Sequence, residues 1–200
     1  MNHGELRAEL CETLRRMAAG GLVLGAAGNA SARADGLVAI SPSGLWYDTL
    51  RPEDVCLVEE DGTLVEGPAP SVELPMHLAV LAARPRVGAV VHTHSPYATA
   101  LSRAVEEIPV VEPEQVVRVG GPVPVVGPVP SGTAELGVAV VAGAGERSAV
   151  VVRDHGPVCF GADLPAALAC AFAVEENARI YALARLLGVG DRAADDERGP

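Results

Sequence analysis

The 200-residue chain contains no lysine; its 15 basic side chains are all arginine. Lysine is the residue that condenses with carbonyl substrates, or holds pyridoxal phosphate, as a Schiff base, so that route to a stabilised carbanion is closed. The P-loop lysine that reaches a nucleotide phosphate is excluded in the same way. The absence has an ordinary origin in base composition and does not by itself indicate a function. It does require that any carbonyl chemistry here place its electrons on something other than an amine.

Other shortages narrow the field further. Aromatic residues make up only 3% of the chain, so the core must be filled by small aliphatics, as when helices pack closely on a sheet. Acidic side chains outnumber basic ones 26 to 15, a net charge of −11. That balance argues against nucleic acid, which binds a basic face, and against anionic membrane surfaces. An anionic ligand would need a local site of backbone N–H groups and hydroxyls. No apolar run approaches the roughly 20 residues that span a bilayer; the run around Val138–Ala142 is strand-sized. The stretch Met1–Cys11 is polar and acidic, unlike a secretory signal. The four cysteines, Cys11, Cys56, Cys159 and Cys170, form neither a CxxC pair nor a disulfide framework. They read as small buried hydrophobes in a reducing compartment, with the cytoplasm as the expected location.

The length suits one domain, expected over residues 1–190. Apolar residues at helical spacing predict helices over Glu5–Ala19, Ser71–Ala83 with Ser71 as N-cap, Pro96–Val105, Thr133–Ala142 beginning at Ser131, and Leu164–Leu187. Strands are predicted over Leu37–Ser41, Asp54–Glu59, Thr63–Glu66, Ala89–His94 and Ala149–Arg153. Gly25–Ser31 reads as a small-residue loop leading into a strand, and Ile108–Val129 as short strands with tight turns. The charged segment 191–200 is expected to be disordered. The alternation of strands and helices points to a layered α/β domain.

Of the five histidines, His92 and His94 stand as His-Thr-His at the end of an apolar strand. Residues two apart on a strand share a face, so both imidazoles can approach one metal ion. His155 follows a second apolar strand. Three histidines with an open fourth position is a catalytic rather than a structural zinc pattern. His77, four residues after Glu73 on a helix, reads as a hydrogen-bonded supporting residue, and His3 as exposed. Glu73, in the first turn of a helix, has a plain reading as a favourable charge near the helix dipole. Gly28-Asn29, Ser43-Gly44 and Ser71 each place a polar donor beside a permissive glycine or a helix start, features that suit an anion.

These residues occur together in Gly28-Asn-Ala-Ser-Ala-Arg33, Ser41-Pro-Ser-Gly44, Pro70-Ser-Val-Glu73, Val91-His-Thr-His94 and Asp154-His-Gly156. In that order and spacing the chain resembles the class II aldolase/adducin family, and within it the L-fuculose-phosphate aldolase group. The resemblance runs from about Leu6 to Leu187. It implies a three-layer α/β/α sandwich around a largely antiparallel sheet, and a four-fold homotetramer with active sites near subunit boundaries. It implies His92, His94 and His155 as zinc ligands, in a site that cobalt, manganese or iron can also fill. It implies Glu73 as acid/base, and Gly28, Asn29, Ser43, Gly44 and Ser71 as a cradle for the phosphate of a phosphorylated sugar.

The reaction implied is reversible cleavage of a ketose 1-phosphate to dihydroxyacetone phosphate and an aldehyde, through a metal-stabilised enediolate. Sister reactions on the same scaffold are dehydration, decarboxylation and epimerisation of a pentulose phosphate; a non-catalytic adducin-like role is a further alternative. Two departures stand out. Val72 replaces a second cradle serine, and no tyrosine occurs in Val110–Gln115, where family aldolases carry one for the aldehyde oxygen. Glu112 and Glu114 are the nearest candidates to replace it.

Overall fold

A computed structural model describes residues 3–189; the tail 191–200, expected to be disordered, lies outside them. Helix α1 (His3–Ala19) is followed by strands β1 (Asn29–Ala34), β2 (Leu37–Ile40), β3 (Cys56–Glu59) and β4 (Leu64–Glu66). Then come α2 (Leu74–Ala83), β5 (Ala89–His92), α3 (Pro96–Ser102), β6 (Glu107–Ile108), α4 (Pro113–Val119) and β7 (Val123–Val126). The chain continues through α5 (Ala134–Ala144), β8 (Ala149–Val152), β9 (Gly156–Gly161) and α6 (Leu164–Leu186).

The strands form one nine-stranded sheet in the order β4-β3-β2-β1-β5-β9-β8-β7-β6. Every pairing is antiparallel except β7 with β8. Each face carries its own core. On one side Ala30, Ala32, Ala89, Val91, Ala149, Val151 and Cys159 pack against α1 and α6. On the other, Val38, Val90, Val150, Val152, Val158 and Phe160 pack against α2 and α5. Successive strand residues point to opposite faces, so a strand buried on both must be apolar, as β8 is throughout and β5 is up to His92. The layered α/β expectation therefore holds, with a mostly antiparallel sheet between two helical layers. All four cysteines are buried and free, and among the described residues no helix is long and apolar enough to cross a membrane.

Several boundaries differ from the sequence reading. Ser71 is not the cap of α2; the helix begins at Leu74, and Glu73 occupies the cap position. Pro75 in the first turn tolerates that start because it lacks only an N–H that the helix leaves free. Helix α5 is capped by Thr133, whose hydroxyl accepts from the Leu136 N–H, and Ser131 turns away towards another partner. The Pro- and Val-rich stretch 108–129 hides a helix, α4, capped by Glu112 and ended by Gly120 in the left-handed region. Its β-branched residues suggest strand, and the capping decides otherwise. Strand β9 was not anticipated, and His3 is partly rather than fully exposed.

Candidate active site

Strand β5 places the His-Thr-His motif where the sheet opens. Asn29 of β1 pairs with His92, and His92 with Val158 of β9. Beyond His92 the chain leaves the sheet between two clamps: the Thr93 N–H donates to the Pro157 carbonyl at 3.0 Å, and the His94 N–H to the Leu22 carbonyl at 3.1 Å. His155 sits in the turn from β8 to β9. There Asp154 has φ +61° and its N–H donates to Ser102 Oγ at 3.1 Å. Gly156, at φ +153°, lies so close to the metal-side loop that a Cβ would collide with the Thr93 carbonyl oxygen.

These clamps bring three imidazoles face to edge. His92 Nε2 lies 3.2 Å from both His94 Nε2 and His155 Nε2, and one ligand atom from each ring falls within 4.8 Å of the others. The donor set fits a metal ion. His92 Nδ1 is 3.0 Å from the Pro157 carbonyl, which can only accept, so Nδ1 carries the proton and Nε2 presents its lone pair. Burial pushes the His92 pKa down to about 3, against the pull of Glu73, and burial with the neighbouring His155 lowers His94 too. Imidazole nitrogens 3.2 Å apart and turned towards a carboxylate suit a cation held between them.

The carboxylate is Glu73, 3% exposed. Oε2 accepts from Asn29 Nδ2 at 2.8 Å and lies 3.2 Å from His92 Nε2. Oε1 accepts from Ser131 Oγ at 2.7 Å and lies 3.6 Å from His155 Nε2. Burial works against its charge, but His92, the two hydrogen bonds and His155 more than offset it and hold its pKa at about 2. Glu73 is thus an anion here, below the near-neutral titration an efficient acid/base needs, and stands ready as a base.

A cavity of about 170 Å³ opens onto this group. It is lined by every predicted site residue except His92, which lies buried behind it: Gly28, Asn29, Ser43, Gly44, Ser71, Glu73, His94 and His155. The two hydroxyl loops are stitched together, the Ser43 N–H donating to the Ala69 carbonyl and the Ser71 N–H to the Ser41 carbonyl. Gly28 has φ +70°, and a Cβ there would come within 2.6 Å of the His92 carbonyl oxygen; the buried Tyr47 hydroxyl holds this turn by donating to the Gly28 carbonyl at 2.6 Å. Among the described residues no arginine lines the cavity, so an anion there meets neutral donors from them.

Sequence reasoning missed Ser131. Its only signal was a hydroxyl beside Gly132 in a Pro-rich loop, which also reads as a helix start. Conversely, Glu112 and Glu114 do not line the cavity within one chain. Glu112 caps α4 by accepting from the Glu114 N–H at 2.7 Å, and Glu114 pairs with Arg118 at 2.6 Å. Val72 does line the cavity, 67% exposed.

Comparison with known proteins fits this geometry. The family model for the Class II Aldolase and Adducin N-terminal domain matches residues 8–182. The chain is 36% identical over 195 residues to a 5-deoxy-D-ribulose 1-phosphate aldolase of Bacillus thuringiensis serovar kurstaki, covering 96% of this chain and 91% of that protein. It is 36% identical over 190 residues to an L-ribulose-5-phosphate 4-epimerase of Salmonella typhi, covering 88% and 83%. Among solved structures it superimposes on an L-fuculose 1-phosphate aldolase with TM-score 0.87 and 30% identity, covering 92% and 88%. The chain belongs to the class II aldolase and adducin family and is an enzyme of its metal-dependent aldolase type.

Proposed function

We propose that this protein is a zinc-dependent lyase that reversibly cleaves a ketose 1-phosphate, of the L-fuculose or 5-deoxyribulose type, into dihydroxyacetone phosphate and a short aldehyde. The observation that carries the reading is the convergence of an ionised, buried carboxylate and three imidazole nitrogens on one small cavity with a neutral polar rim. His92, His94 and His155 hold the metal. When bound, it supplies positive charge to the substrate carbonyl and the adjacent oxygen, the task a Schiff base performs elsewhere. Glu73 carries the proton. In the condensation direction its carboxylate removes the proton from the carbon beside the carbonyl; in cleavage the hydroxyl of the departing half loses its proton to solvent and becomes the aldehyde carbonyl as the C–C bond breaks, and the protonated Glu73 then delivers its proton to the carbon left with the bonding pair.

Asn29, Ser43, Ser71 and the Gly28 and Gly44 backbone bind the phosphate. Val72 leaves that cradle one hydroxyl short of the family pattern. The enzyme acts as a single-domain protomer within a cytoplasmic homotetramer, in which a neighbouring copy supplies the aldehyde side of the site.

The test is to load the purified protein with zinc and supply L-fuculose 1-phosphate and 5-deoxyribulose 1-phosphate, with a coupled assay for dihydroxyacetone phosphate. Release of that product is expected. Glu73→Gln should keep about one zinc per chain and lose turnover; full activity in that variant would remove Glu73 from its role. The epimerase relative favours one second reading. If L-ribulose 5-phosphate is converted to its 4-epimer and no ketose 1-phosphate is cleaved, the epimerase assignment replaces the aldolase one.

A further inference from the structure

Strand β1 turns alternate residues to opposite faces. Ala30 and Ala32 enter the core beneath α1 and α6. Asn29, Ser31 and Arg33 face α2 instead, and each is bonded to a different part of its length or to the segment that follows it. Arg33 takes the carbonyls of Leu81 in the last turn of α2 and of Arg84 and Val87 beyond it. Ser31 Oγ lies 2.7 Å from His77 Nδ1, and Asn29 Oδ1 lies 2.5 Å from His77 Nε2. Asn29 Nδ2 then donates to Glu73 Oε2. His77, Ser31 and Asn29 are all buried, His77 and Ser31 completely.

Chemistry fixes the direction of this chain. Asn29 Nδ2 faces Glu73 Oε2 and Asn29 Oδ1 faces His77 Nε2, so the amide N–H donates to the carboxylate oxygen and the amide carbonyl oxygen accepts from His77. His77 must therefore donate from Nε2. A neutral imidazole with its proton on Nε2 accepts at Nδ1, so Ser31 donates there. Burial pushes the His77 pKa down to about 4, against the pull of Glu73, which keeps the ring neutral and the sequence of donors unbroken.

We propose that His77, set by Ser31, is a positioning residue that locks the Asn29 side-chain amide in the one orientation that serves Glu73 and the anion cradle together. Asn29 has two amide hydrogens. One is used by Glu73, and the other is left for the cavity that Asn29 lines. A flipped amide would turn a carbonyl oxygen towards both anions. The inference rests on the aldolase reading for its functional half, and on geometry alone for its tautomer.

The experiment uses zinc-loaded, 15N-histidine-labelled full-length protein. Imidazole nitrogen shifts report the tautomer directly, and a neutral ring protonated on Nε2 is expected for His77 at neutral pH. A ring protonated on Nδ1, or a charged ring, overturns the proposal whatever the enzyme does. Inorganic phosphate binding and solvent-deuterium exchange into dihydroxyacetone phosphate are then measured on variants. His77→Phe should lose about 10-fold or more in both, as expected for a misdirected hydrogen bond to a charged group. His77→Gln, whose amide can again donate to Asn29, should recover most of it. A folded, zinc-replete His77→Phe equal to wild type overturns the proposal.

If His77→Phe does not fold, Ser31→Ala decides. It should populate both tautomers and weaken phosphate binding, and an unchanged tautomer with unchanged binding overturns the proposal. Wild-type protein that exchanges no proton and binds no phosphate would instead sink the aldolase reading, with the nitrogen shifts still deciding the chain.

Discussion

Ser131 Oγ donates a 2.7 Å hydrogen bond to Glu73 Oε1, joining the loop before α5 to the carboxylate at the head of α2. Asn29 holds the other oxygen, so the carboxylate is gripped from both sides by neutral donors. Ser131 is exposed while Glu73 is buried, which puts the hydroxyl at the mouth of the cavity. The adjoining Gly132 packs against Val72, with room for a Cβ only 3.1 Å from its carbonyl oxygen.

Removing that grip should cost turnover more than binding. Ser131→Ala is expected to lower kcat by about 10-fold, with KM within about two-fold, because one hydrogen bond is lost at the carboxylate proposed to move the proton. Ser131→Thr, which keeps the hydroxyl, should restore activity. Steady-state kinetics on the cleaved ketose 1-phosphate checks both; a rise in KM alone would move Ser131 to the substrate-binding side.

Metal removal should abolish activity and lower the melting temperature together. Three imidazole nitrogens crowd together beside a carboxylate, an arrangement that a bound divalent cation stabilises. Dialysis against a chelator followed by metal analysis and calorimetry tests this, with zinc restoring both properties. His94→Ala should reproduce the chelated state and resist rescue.

Gly156→Ala should be far more damaging than Gly36→Ala. Both positions have positive φ, but a Cβ at Gly36 meets nothing within 4 Å, whereas at Gly156 it runs into the Thr93 carbonyl. Gly36→Ala should cost about 1–2 kcal/mol, the left-handed penalty alone. Gly156→Ala should cost more than about 3 kcal/mol or shift the His-Thr-His loop. Urea denaturation and zinc affinity measure the two effects, and equal destabilisation would show that the close approach is relieved cheaply.

Stability of the metal-free protein should begin to fall near pH 6.5 rather than near 4.5. His77 drops from 6.5 to about 4 in the fold, so below 6.5 the unfolded chain takes up a proton that the folded chain refuses. That loss accumulates down to about pH 4. His92, lowered to about 3, extends the same trend. Glu73 falls from 4.5 to about 2, so its contribution is present above 4.5 and is lost only as pH drops towards 2. Urea midpoints across this range should show the early onset in wild type and a reduced slope in His77→Gln.

Much of this protein is written locally. Lysine is absent, so the amine route to an enolate is closed from composition alone. The period of the apolar residues marks α1, α2, α5 and α6, and the apolar runs of β8 and of β5 before His92 announce strands buried on both faces. The spacing of His92 and His94 brings the two together at the end of β5, although the strand stops at His92 rather than running to His94, and four buried free thiols follow from cysteines without a pairing pattern. The five short motifs identify the site residues because each is contiguous and each needs its own residue types.

What the tertiary structure decided is which distant groups meet. Glu73 and Ser131 are 58 residues apart, and Ser31 and His77 are 46 apart. Their contacts depend on β1 lying beside β5 and on α5 crossing over α2. A hydrogen bond depends on separation in space and on the direction of donor and acceptor, and the period of a sequence encodes neither. The same reason hid α4, where a cap and a left-handed glycine override β-branched residues, and β9, which is held between its neighbour β8 and the distant β5. Sequence determined which chemistry the chain can carry; only the packing of α2 against β1 and the loop before α5 decided how its central carboxylate is held.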